Sequence, residues 1–312
     1  MLLTDILPIK HPVIMAPMFL VSNTDMIVEA AAAGIAGVIP ALNYRTETDF
    51  EKALQELNHR LPGGCYGINL IGNKSNIRFK RQLELCVQYK VPFIITSLGS
   101  PQAVIEACKP IGTKVFCDVI DLEYAKKVEA MGADAIIAVN NEAGGHAGNM
   151  APEEIIPLLV KNTRIPVISA GGVGNKAGLD RMLQLGACGV SVGSPFIASN
   201  EAPVNHEYKQ AVVDYGAADI VRTTKISGTP CTVINTPYVQ KTGLQQNWLE
   251  RTLAGNKTLK KWVKMLTFYN GMKMLEKAAF SASYQTYWCA GKSIEHVHAV
   301  RPVRDIVKGI VE

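Results

Sequence analysis

The sequence predicts an α/β chain folded as a closed (β/α)8 barrel, with a mainly helical segment inserted near the C-terminus. Three observations carry this expectation. Eight short, continuous apolar runs rich in β-branched residues recur up to about residue 192, each followed by a longer stretch with helical spacing. Their starts lie about 20 to 32 residues apart, enough for one strand, one helix and two short loops. Three of the helix-like stretches end in glycine and pass almost directly into the next strand.

The runs are Pro12–Met15, Ala36–Pro40, Tyr66–Leu70, Pro92–Thr96, Lys114–Cys117, Ala135–Val139, Pro166–Ser169 and Gly189–Val192. Continuous apolar runs suit parallel strands covered on both faces, and eight such units suggest closure. The glycine returns are Ala33-Gly34-Ile35, Met131-Gly132-Ala133 and Leu185-Gly186-Ala187. A glycine just past a helix end turns left-handed without a Cβ clash, which a tight return to the next strand requires. These returns belong to the face opposite the reactive one. After Ser194 no further strand series is evident, and helices are expected at about His206–Tyr215, Gln246–Leu253, Leu259–Ser281 and Ser293–Val311. Gly228-Thr229-Pro230 and Thr236-Pro237 break the chain between them. The expected organisation is a barrel over residues 1–200 and 290–312 and a helical lid, or substrate domain, over residues 201–289, the last segment returning as the eighth helix.

Composition narrows the class. With 48% hydrophobic and 19% charged residues and a net charge of +5, the chain is too apolar to be disordered and only mildly basic. The longest uncharged apolar run, Ala30 to Leu42, is shorter than the ~18 residues of a spanning helix, and Asp5 interrupts any apolar leader, so a cytoplasmic protein is expected. The cluster Lys257, Lys260, Lys261 and Lys264 reads as a solvated helix face, because no reader motif for nucleic acid accompanies it. Seven cysteines without a CxxC pair fit reduced thiols, and no metal site is expected; His296 and His298, two apart, share no helix face.

In such a barrel the reactive face is built from the loops that follow the strands. Ser169-Ala170-Gly171-Gly172-Val173-Gly174 follows the seventh run and Val192-Gly193-Ser194-Pro195 the eighth, the two places where barrels commonly hold a phosphate on backbone N–H groups. Plain tight turns are the alternative. After the sixth run, Asn140-Asn141-Glu142-Ala143-Gly144-Gly145-His146-Ala147-Gly148 sets one histidine among three glycines. There the imidazole has little local cover and can exchange a proton or hold an anion. Met15-Ala16-Pro17-Met18 ends the first strand, and Asn69 ends the third with an amide suited to the edge of a heteroaromatic ring such as a flavin pyrimidine. Tyr238, Trp262, Phe268, Tyr269 and Trp288 are candidate pocket walls, with core packing as the competing role.

Pro12-Val13-Ile14-Met15-Ala16-Pro17-Met18, Gly67-Ile68-Asn69, Glu142-Ala143-Gly144-Gly145-His146, Ile165-Pro166-Val167-Ile168-Ser169-Ala170-Gly171-Gly172 and Val192-Gly193-Ser194-Pro195-Phe196 together resemble the nitronate monooxygenase family, formerly 2-nitropropane dioxygenases. The order and spacing match over about residues 10–200. The resemblance implies a TIM barrel that binds FMN under a helical domain. It would place Ala16, Pro17, Met18, Asn69, Gly144 and Gly145 at the flavin, and Gly171, Gly172, Gly193 and Ser194 at its phosphate. His146 matches the family's active-site histidine. Alkyl nitronates and dioxygen are the implied reactants, giving carbonyl compounds and nitrite. The sequence departs from the pattern at Val139-Asn140, where many members have Gln-Gly, at Ser194 in place of threonine, and at Lys292 in place of glutamine. The stretch Ala125 to Asp134 and Ala147-Gly148 look much like the related flavin-dependent enoyl-acyl-carrier-protein reductases, which makes an NAD(P)H-linked reductase the nearest alternative. A flavin-free barrel for a phosphorylated metabolite and a non-enzymatic partner subunit are the more distant ones. Oligomeric state is not readable.

Overall fold

Each of the eight apolar runs forms a strand in the computed structural model of the protein, which describes residues 1–73, 76–226, 230–245 and 287–312. The strands are β1 Val13–Met15, β2 Ala36–Pro40, β3 Tyr66–Ile71, β4 Phe93–Ser97, β5 Lys114–Val119, β6 Ala135–Val139, β7 Val167–Ala170 and β8 Gly189–Val192. They pair in parallel in sequence order, and β8 closes the barrel on β1 with Val13 opposite Val190 and Met15 opposite Val192.

Alternate strand residues sort into two apolar layers, as a barrel buried on both faces demands. Ile14, Val38, Ile95, Phe116, Ile137 and Ile168 form one cluster, and Leu3 and Leu7 of the N-terminal segment pack with it. Leu3 is tied in by its N–H, which donates to the Cys188 carbonyl at 2.7 Å. Val13, Ile39, Ile94, Val115, Ile136 and Val167 face the other way and pack against the helices. The helices are α1 Thr24–Ala32, α2 Glu47–Arg60, α3 Phe79–Gln88, α4 Gln102–Cys108, α5 Leu122–Met131, α6 Pro152–Asn162 and α7 Lys176–Gln184. Asn23, Thr46, Asp121 and Asn175 cap four of them, each accepting a hydrogen bond from an N–H of the first turn. Gly34, Gly132 and Gly186 have φ of +82°, +96° and +98°, the left-handed returns that the sequence predicts.

Beyond β8 the chain forms α8 Ser194–Ile197, α9 His206–Asp214 and α10 Pro237–Thr242. Between α9 and α10 lies an antiparallel ribbon, β9 Ile220–Thr223 with β10 Cys231–Ile234, which corrects the expectation of a segment without further strands. Cys231, Thr232, Val233 and Ile234 are all buried, so this short run had the composition of a strand but lay outside the strand–helix rhythm. The final expected helix is also divided. Lys292–His296 is a 3-10 turn, and α11 Val303–Val311 begins after Pro302, whose ring removes the N–H a continuous helix would use. The helices expected at Gln246–Leu253 and Leu259–Ser281 lie outside the described residues. α11 buries Val303, Ile306, Val307 and Ile310, spaced along one helical face, and packs between α1 and α7. Among the described residues no helix is long and apolar enough to cross a membrane.

Candidate active site

A cavity of about 1010 Å³ opens at the C-terminal ends of the barrel strands. That lies at the upper end of the ~300–1,000 Å³ of small-molecule sites and leaves room for an aromatic cofactor and a small substrate together. Ala16, Pro17, Met18, Asn69, Gly144, Gly145, His146, Gly171, Gly172, Gly193 and Ser194 all line it, so the fold brings every candidate residue to one place. Of the aromatic wall candidates, Trp288 is buried and stacked on Tyr208, with ring centroids 5.8 Å apart. Tyr238 packs edge-on against Tyr287, and neither Tyr238 nor Trp288 lines the cavity. Trp262, Phe268 and Tyr269 lie outside the described residues.

The histidine loop is held by elements distant in sequence. Thr232 of β10 donates its N–H to the Gly145 carbonyl at 2.8 Å, and its hydroxyl donates to the Ala143 carbonyl at 2.7 Å. Arg222 of β9 donates to the Gly148 carbonyl and to Asn149 Oδ1. On the opposite flank the Lys292 N–H donates to the Glu142 carbonyl at 3.0 Å. A Cβ on Gly144 would lie 2.9 Å from the Gly291 nitrogen, so this return segment approaches as closely as backbone allows. Gly145, with φ +71°, has open space around it and is glycine for conformation. The imidazole of His146 is thereby presented to the cavity interior, and enclosure by the walls lowers its pKa below 6.5. Near neutral pH it is the uncharged ring, able to accept a proton on one nitrogen and donate a hydrogen bond from the other.

The two glycine loops have the donors an anion needs. Among the described residues, the backbone N–H groups of Gly172, Val173, Gly193 and Ser194 meet no protein acceptor, although all four residues are buried or half-buried. Orphaned donors in such a wall call for a ligand or ordered water. Gly171 and Gly172 are also shaped by packing. A Cβ on Gly172 would fall 1.9 Å from Glu142 Oε2, and one on Gly171 would fall 2.3 Å from Asn140 Oδ1. Glu142 itself points to Arg181 at 3.4 Å. Asn140 is fully buried and does not face the cavity. Its amide donates to the Gly171 carbonyl at 3.1 Å and accepts from the Glu142 N–H at 2.9 Å, knitting the loops after β6 and β7 together. It is therefore a brace between these two loops. The Ser194 hydroxyl accepts the Gly291 N–H at 2.8 Å and keeps its own proton available.

Sequence reasoning missed a polar chain on the other side of the cavity. Asn69, which lines the cavity, donates from Nδ2 to Ser97 Oγ at 2.8 Å and to the Ile95 carbonyl at 3.1 Å, so the amide keeps Oδ1 as its acceptor. Ser97 Oγ donates in turn to Asp118 Oδ2 at 2.5 Å. Burial pushes the Asp118 carboxyl up to about 6, against the lesser downward effect of the Ser97 hydrogen bond. Ser97 and Asp118 stand at the ends of β4 and β5, one residue past the apolar runs Pro92–Thr96 and Lys114–Cys117. The positional rule that selected the other loops would have found them.

Residues 66–312 match the profile of the nitronate monooxygenase family. The chain belongs to this family. Among its relatives, the (3aS,4S,5R,7aS)-5-hydroxy-7a-methyl-1-oxo-octahydro-1H-indene-4-carboxyl-CoA dehydrogenase of Rhodococcus jostii (strain RHA1) is 30% identical over 237 residues, covering 76% of this chain and 66% of that protein. The chain thus spans just under two thirds of that relative. A probable nitronate monooxygenase of Staphylococcus saprophyticus is 28% identical, covering 76% of this chain and 79% of its own. Among solved structures, FabK from Thermotoga maritima superposes with a TM-score of 0.85 at 28% identity, covering 99% of this chain and 94% of its own. The nitroalkane oxidase of Streptomyces ansochromogenes superposes at 0.81 with 20% identity over 98% of this chain and 96% of its own, a likeness of fold. Membership of the nitronate monooxygenase family makes the chain an oxidoreductase and implies a flavin. The acceptor of Asn69 and the orphaned donors of the glycine loops, at opposite sides of one cavity, suit the polar ring edge and the phosphate of such a group.

Proposed function

We propose that the chain is an FMN-dependent oxidoreductase of the nitronate monooxygenase type, oxidising alkyl nitronates with dioxygen to carbonyl compounds and nitrite. The observation that carries this reading is His146, presented by a glycine loop into a cavity whose walls offer both an amide acceptor and backbone donors that meet no acceptor among the described residues. Gly171, Gly172, Gly193 and Ser194 would hold the FMN phosphate, Asn69 its ring edge, and Ala16, Pro17, Met18, Gly144 and Gly145 its flanks. Bound FMN would supply the electron transfer between substrate and dioxygen. His146 then has two tasks. As a neutral ring it can take a proton from a nitroalkane, and once protonated it holds the nitronate anion, whose charge raises the imidazole pKa again. The largely apolar lining of the cavity lowers the local dielectric and strengthens that attraction.

An NAD(P)H-linked FMN reductase is the second reading, favoured by the 28% identity to FabK across 99% of this chain. One absorbance experiment separates the two. Under anaerobic conditions propyl nitronate should bleach the bound flavin of the wild type, whereas NADH and NADPH should not; the reverse pattern supports the reductase. In the same cuvette His146→Ala should keep its yellow colour and lose turnover by about 10²–10⁴-fold, the usual worth of a positioned acid or base. A yellow variant with full turnover removes His146 from the mechanism.

A further inference from the structure

Cys231 and Cys289 face each other across the cavity wall with their sulfurs 3.8 Å apart. They come from segments 58 residues apart, strand β10 and the return stretch that precedes Gly291. Backbone pairing holds these segments together, because Val233 bridges to Cys289 and the Ile234 N–H donates to the Trp288 carbonyl at 2.9 Å. On the far side the Tyr208 hydroxyl donates to the Cys289 carbonyl at 2.6 Å. The other five cysteines are buried elsewhere in the barrel.

We propose that Cys231 and Cys289 form a redox-active dithiol in the wall of the cavity, a modification site for hydroperoxides that closes to a disulfide. Closure to the ~2.05 Å of an S–S bond needs less than 2 Å of sulfur movement between segments already paired. The two members are unequal. Cys289 is half-buried and lines the cavity, while Cys231 is buried and its thiol is pushed well up by its hydrogen bond to Cys289 and then by burial. Cys289 is therefore the attacking sulfur. Its thiolate breaks the O–O bond of hydrogen peroxide, takes one oxygen as a sulfenic acid and releases hydroxide, which carries off the proton that Cys289 gave up. Cys231 then attacks the Cys289 sulfur. The S–O bond breaks as the S–S bond forms, and the Cys231 proton leaves with the second hydroxide as water. Two thiols lose two electrons, peroxide gains them, and two waters result. The product ties covalently the two segments that grip the histidine loop through Thr232 and Lys292.

The test requires neither flavin reduction nor a nitronate, so it stands apart from the assigned activity. The purified full-length protein is reduced, desalted, exposed to hydrogen peroxide and digested without reductant for mass spectrometry. A peptide pair joined through Cys231 and Cys289, lighter by two hydrogens and separated again by a thiol reductant, is the expected result. C231S should stop at a sulfenic acid on Cys289 that dimedone traps, and C289S should leave Cys231 a thiol. Wild-type protein in which both cysteines stay free, or in which Cys289 passes to the sulfinic acid without a cross-link, overturns the proposal whatever the variants do.

Discussion

The residue that most changes the reading of the site is Asp118. Its carboxyl is enclosed at the end of β5, titrates near 6 instead of 3.8, and holds Ser97, which in turn holds the amide of Asn69. A carboxyl raised in the folded state stabilises the fold while it is protonated. That contribution is complete below pH 3.8 and is lost as pH rises through about 6. The shift corresponds to about 3 kcal/mol at most, at ~1.4 kcal/mol for each pKa unit. Asp118→Asn keeps an oxygen to accept the Ser97 proton and removes the charge. Urea unfolding of flavin-free protein at pH 4.5 and 7.5 should show wild type losing ground to the variant at the higher pH. Equal differences at both values would mean that the carboxylate pays no burial penalty. His146 titrates in the opposite sense, favouring the fold above its depressed pKa, but it is common to both proteins and cancels in the comparison. His146, Asn69 and the glycines were legible in sequence because unusual residue types cluster directly after apolar runs. Asp118 stands where the same positional rule looks, one residue past the run Lys114–Cys117, but its role shows only once Ser97 and Asn69 are seen beside it.

At the scale of elements, the site is a barrel loop clamped by a ribbon. β10 reaches the loop after β6 through Thr232, whose hydroxyl proton lies between the Ala143 carbonyl at 2.7 Å and the Gly145 carbonyl at 3.2 Å. Thr232→Val preserves shape and the backbone bond to Gly145 but leaves the buried Ala143 carbonyl without this donor, a local cost of about 1–3 kcal/mol. Amide exchange over residues 143–147 should accelerate, with lower turnover and unchanged flavin content. Exchange as slow as in wild type would show that the ribbon is not what orders the loop. The barrel strands were legible because eight repetitions of one pattern reinforce each other. β9 and β10 form a single local pair with no repeat, and their role depends on contacts with Ala143, Gly145 and Gly148, some 70 to 90 residues away.

The whole molecule is a ring whose last piece comes from its far end. The strand rhythm ends at β8, yet the helical layer is complete only when α11 inserts between α7 and α1, bringing the last residues of the chain beside the first helix. The sequence showed that a returning helix was needed; Pro302 as its starting point follows from the position at which the chain regains the barrel wall, where the Arg301 N–H donates to the Ala198 carbonyl at 3.1 Å and the Val303 N–H to Glu201 at 3.0 Å. Ring closure makes α11 a determinant of stability that is remote from the chemistry. Ile306 is 4% exposed and lies on the face that α11 turns to the core. Replacing it with alanine removes buried methylene and methyl groups and leaves a void that the close-packed neighbours fill only in part, so the loss should be about 2–5 kcal/mol. None of the cavity-lining residues belongs to α11. Ile306→Ala should therefore lower the urea midpoint with the slope unchanged, while turnover per bound flavin stays at the wild-type value. A stable variant would mean that the barrel is closed without α11, and a variant with normal stability but altered turnover would couple this wall to the active cavity.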